Sequence, residues 1–101
     1  ARPSSGGAAK ERRRQNAQAR QRTQALRKEI LAIERKLERA ATEMGRIGEV
    51  LADPNVYSTD ADIGELSRQY ESWQRRVAAL ESSWEEASEK LEGLEASEKA
   101  G

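Results

Sequence analysis

LADPNVYSTDAD, residues 51–62, is the stretch that divides this chain. Pro54 has no N–H and drives Asp53 out of helical geometry, so a helix arriving from the N-terminal side must end near Leu51 to Asp53. Asp, Asn, Ser and Thr crowd the residues that follow. Thr59 or Asp60 is a suitable N-cap for a second helix beginning at Ile63. Acids in its first turn suit the positive end of the helix dipole.

On both sides of this tip the apolar residues keep one period. Before it, Leu26, Ile30, Ile33, Leu37, Ala40, Met44, Ile47 and Leu51 recur at alternating steps of four and three. After it, Ile63, Leu66, Tyr70, Trp73, Val77, Leu80, Trp84, Ala87, Leu91 and Leu94 continue the same way. That is a heptad seam on each helix, the period of coiled-coil packing. Two such helices joined by a short connection fold back antiparallel. The expected fold is therefore all-α: a flexible linker over residues 1–9 (ARPSSGGAA), then an antiparallel coiled-coil hairpin over 10–96. Its parts are a helix over 10–52, the tip at 53–62 and a helix over 63–95, with a frayed tail at 97–101. At 1.5 Å per residue the rod is roughly 60 Å long.

Placing Leu51 opposite Leu66 sets the remaining layers, among them Ile47–Tyr70, Met44–Trp73, Ala40–Val77, Leu37–Leu80, Ile33–Trp84, Ile30–Ala87 and Leu26–Leu91. No layer stacks two bulky rings. This register sets Glu29 beside Lys90, Glu43 beside Arg76 and Arg20 beside Glu95, each exposed pair contributing only ~0.2–1 kcal/mol. Positions in the seam also decide the role of Tyr70, Trp73 and Trp84, which are expected to pack the core rather than stack on bases. Tyr57 is expected to cover the first layer at the tip.

The 101 residues carry 18 Lys+Arg and 18 Asp+Glu, a net charge of zero that hides a gradient. Residues 1–28 hold nine basic side chains and one acid, whereas residues 52–101 hold five basic and twelve acidic ones. Arg13, Arg20 and Arg27 occupy one heptad position, and Arg14, Lys28 and Arg35 another close by. With Lys10 they form a cationic stripe away from the seam. Guanidinium forks bind phosphate oxygens, and a stripe of them follows a nucleic-acid backbone with little sequence preference. A solvated helix face, partly neutralised by the acidic second helix, is the plainer alternative.

Composition removes other classes of function. Charged residues reach 36% against a usual quarter or so, and Cys, His and Phe are absent. No disulfide framework, cysteine zinc site or His-dependent nucleophile can be built. No phosphate-binding glycine loop occurs, and the glutamates of the second helix lie mostly outside the seam, so the chain is expected to be non-catalytic and to bind no cofactor or metal itself. No apolar run approaches the ~18 residues that span a bilayer, which points away from a membrane partner. The chain opens on Ala1 rather than Met, which leads us to expect a segment of a longer protein.

The run RQRTQALRKEILAIERKLE, the tip LADPNVY and the run ELSRQYESWQRRVAALESSWEEASEKLEGLE together resemble the C-terminal domain of ABC-F ATP-binding cassette proteins. The resemblance covers residue 10 to about residue 96. Its most specific element is the Asp53-Pro54…Tyr57 tip between heptad helices, with Trp84 late in the second. It implies a cytoplasmic parent with two upstream ATP-binding cassettes, using ATP and magnesium that this segment does not hold. Members act on the ribosome, and the Uup-type branch is associated with DNA through this hairpin. The positions that carry over are Lys10, Arg12, Arg13, Arg14, Arg20, Arg22, Arg27 and Lys28, to which the stripe adds Arg35. The second helix is more acidic than a surface lying flat on nucleic acid, so contact is expected from one face and one end.

The expected function is a nucleic-acid-binding accessory domain of an ABC-F ATPase, docking on DNA or on ribosomal or transfer RNA and monomeric as a fragment. The alternatives are a protein-interaction or spacer arm that positions the cassettes of the same chain, and self-association through swapped heptads.

Overall fold

The computed structural model describes residues 3–100. Two helices account for nearly all of it: α1, Pro3–Ala52, and α2, Ile63–Ala100, joined through a short 3-10 helix, Pro54–Ser58. They lie antiparallel in a rod of 88 × 19 × 14 Å. Three cross-helix relations fix the pairing. Near the tip the Tyr70 ring backs onto Gly48, and toward the open end Arg27 meets Glu95 and Thr23 meets Glu98. Gly48 neighbours Ile47, the residue expected opposite Tyr70.

The apolar period explains what is buried. Ile33, Ala40, Ile47 and Ala87 are buried, and the other seam residues except Trp84 are half-buried. A two-helix seam has no third wall, so a side chain larger than its opposite number reaches solvent. Trp84 is the case in point, 38% exposed although it lies on the seam. At Gly48 an added Cβ would stand 3.2 Å from Tyr70 Cε2, so the missing side chain is what lets the ring approach the helix backbone.

The tip stops α1 as expected. Asp53 is extended (φ −77°, ψ 116°), as a residue before proline prefers, and its carboxylate accepts the Asn55 N–H at 3.0 Å. The Tyr57 hydroxyl donates to the Leu51 carbonyl at 2.9 Å, capping an orphan acceptor of the α1 terminus. The ring itself is 61% exposed, so Tyr57 ties the tip by its hydroxyl and does not cover the first layer.

Besides the role of Tyr57, the α2 cap and two of the charge pairs differ from expectation. The cap of α2 is Asp62, not Thr59 or Asp60: its carboxylate accepts the Glu65 N–H at 3.0 Å, three residues on, where an N-cap side chain reaches. α1 begins at Pro3, within the Pro/Ser/Gly/Ala tract. Proline is tolerated in a first turn, glycine permits helical geometry at a cost of ~1 kcal/mol, and a nucleated helix gains one bond for each residue added. α2 runs to Ala100, with Glu98 meeting Thr23 and with Lys99 in the last turn, where its charge suits the dipole. The expected linker residues Ala1 and Arg2 and the expected tail residue Gly101 lie outside the described residues. Of the cross-helix pairs, Arg20–Glu95 is replaced by Arg27–Glu95 at 3.1 Å, and Glu43 turns to Arg46 on its own helix at 3.0 Å instead of to Arg76. A partner one turn away costs less side-chain ordering than one across the seam.

Candidate nucleic-acid interface

All nine candidate side chains lie on α1 and all are exposed. Their distribution follows from the seam. Arg13, Arg20 and Arg27 flank it on one side, while Lys10, Arg14, Lys28 and Arg35 occupy the next positions outward, so these seven share one continuous face. The other two leave it. Arg22 stands on the opposite flank, where it borders a shallow groove with Leu26, Lys90 and Leu94. Arg12 falls on the backward continuation of the seam line itself, through Thr23, Ala19 and Asn16.

Longitudinal position divides the set again. Glu98 pairs with Thr23, and among the described residues none of α2 stands beside the first turns of α1, which form an overhang there. Lys10, Arg12, Arg13 and Arg14 stand on this overhang, where Glu11 is the one acid and meets Arg14 at 3.6 Å. Arg20, Arg22, Arg27, Lys28 and Arg35 instead run beside residues 81–100 of α2, about half of that helix, which carry Glu81, Glu85, Glu86, Glu89, Glu92, Glu95 and Glu98. Arg27 is paired there with Glu95. Among the described residues, no ion pair within 4.0 Å engages Lys10, Arg12, Arg13, Arg20, Arg22, Lys28 or Arg35. The freest cationic surface is therefore the overhang, and the face beyond it is partly offset by its neighbour.

A second cationic cluster went unnoticed in the sequence. Lys36 and Arg39 of α1 converge with Arg76 of α2 around a groove at mid-rod. The Arg76 guanidinium sits 4.7 Å from the centroid of the Trp73 ring. The available signal was the spacing Glu43-x-x-Arg46, a local pair that competes for the acid otherwise assigned to Arg76.

Chemically, the hairpin offers exposed guanidinium and ammonium groups along one helix. Among the described residues no group of acids is placed to hold a metal ion, and no helix is long and apolar enough to cross a membrane. A family model described as ABC transporter C-terminal domain matches residues 21–89, which takes in Arg22, Arg27, Lys28 and Arg35 but not the overhang. No curated protein and no solved structure matches the chain.

Proposed function

The chain belongs to the ABC transporter C-terminal domain family, and on that premise we propose that this hairpin docks nucleic acid for a cytoplasmic ABC-F ATPase. The family makes it an accessory domain, distinct from the catalytic cassette. The cassettes that would bind ATP and magnesium lie upstream in the same chain, and the hairpin acts as a monomeric arm attached to them.

One observation carries the nucleic-acid reading: Lys10, Arg12, Arg13 and Arg14 stand exposed on a stretch of α1 that, among the described residues, no glutamate of α2 reaches. Phosphates of DNA, or of ribosomal or transfer RNA, meet this end first. Arg20, Arg22, Arg27, Lys28 and Arg35 extend contact along α1, Arg27 after exchanging its weak pair with Glu95 for a phosphate one. Neutralising phosphates releases counterions, so binding is salt-steep and nearly blind to sequence.

Fluorescence anisotropy with a duplex DNA and a structured RNA, each at a low and a moderate salt concentration, tests this. Affinity is expected to fall with salt. It is expected to collapse when Arg12, Arg13, Arg14 and Arg20 become Glu in a variant whose circular dichroism remains helical. Affinity indifferent to both changes overturns the proposal.

A further inference from the structure

We propose that the mid-rod groove between Lys36, Arg39 and Arg76 is a docking site for an acidic partner peptide that carries an apolar anchor residue. The groove holds about 380 Å³, and its floor is Ala40, Trp73, Ala79 and Leu80. Every side chain that borders it is apolar or cationic; none is acidic. The carboxylate best placed to neutralise the rim, Glu43, is held by Arg46 at 3.0 Å and leaves Arg76 facing the ring of Trp73. An apolar floor inside a cationic rim is complementary to a leucine or phenylalanine flanked by glutamates or aspartates, which leaves neither charge nor apolar surface unmatched.

Nucleic acid fits the groove less well. A base needs a free aromatic face, and the Arg76 guanidinium stands 4.7 Å over the Trp73 ring. The remaining floor is aliphatic and offers no flat platform. A phosphate backbone would satisfy the rim and leave the floor empty. The groove adjoins Arg35 at its Lys36 edge but lies more than a dozen residues along α1 from the overhang, so occupation of the overhang leaves it open.

The experiment uses the whole hairpin with Trp84→Phe, leaving Trp73 as the one indole reporter. The probe is a blocked, tryptophan-free peptide with a leucine–phenylalanine pair between glutamates. Controls replace its glutamates by lysines, replace its apolar pair by alanines, or substitute a single-stranded oligonucleotide. The glutamate peptide alone is expected to give a saturable shift of Trp73 emission. Arg39→Glu with Arg76→Glu is expected to weaken it at least about tenfold while helicity is retained. Arg12→Glu with Arg13→Glu leaves peptide binding unchanged, so failure of this proposal and failure of nucleic-acid docking are separable. No saturable shift overturns it. An equal shift with the oligonucleotide or with the alanine control also overturns it, as does self-association that fills the groove in sedimentation runs.

Discussion

The buried hydroxyl of Thr23 on α1 lies 3.0 Å from the carboxylate of Glu98 on α2, joining residues 75 positions apart at the last layer of the hairpin. The same hydroxyl lies 3.0 Å from the Ala19 carbonyl of its own helix, so its one proton is shared between two acceptors. Beyond this layer the seam line runs through Ala19, Asn16 and Arg12, and apolar pairing ends. Thr23→Ala loses a buried methyl and the cross-helix bond, an expected cost of about 1 kcal/mol in urea unfolding. Thr23→Val restores the methyl and is expected to recover most of that loss.

Core truncations should rank by enclosure. Ile47 is 1% exposed, and Ile47→Ala is expected to cost about 3 kcal/mol through the cavity it leaves. Trp84→Ala is expected to cost less than its size suggests, because 38% of the residue already faces water. Leu31, 53% exposed, should tolerate alanine within about 0.5 kcal/mol. Thermal and urea denaturation of the three variants checks the order.

Asp62→Ala removes the acceptor of the Glu65 N–H and is expected to cost about 1 kcal/mol. Asp60→Ala should be close to neutral, since no hydrogen bond ties its side chain among the described residues. Equal losses from the two would show that the cap is shared.

The glycines of α1 offer a paired comparison. Gly45→Ala meets nothing within 4 Å and should stabilise the hairpin by roughly 0.5–1 kcal/mol through helix propensity. Gly48→Ala gains the same propensity but presses on the Tyr70 ring at 3.2 Å, so its melting temperature should fall below that of Gly45→Ala.

Much of this architecture is legible in the residues because a single physical quantity, the spacing of Leu, Ile and Trp, determines both the helices and their mutual face. Pro54 is equally plain, since a missing N–H cannot be overridden by packing. The cap was misplaced because Thr59, Asp60 and Asp62 all carry suitable oxygens, and only the backbone path selects which one reaches an orphan donor. The charge partners were the least legible part. Glu43 has an arginine within one turn and another across the seam, and exposed pairs differ by tenths of a kcal/mol. The same near-degeneracy concealed the mid-rod groove, whose cations stand out only once Glu43 is seen turning away.

A single uninterrupted α1 has a mechanical consequence. Fifty residues of continuous helix make a lever about 75 Å long. Tilting one end by about 5° sweeps the other through roughly 6 Å. Any rotation imposed at the base by a neighbouring motor would thus be amplified at Tyr57 into a displacement as large as a helical turn, with no hinge in between to absorb it.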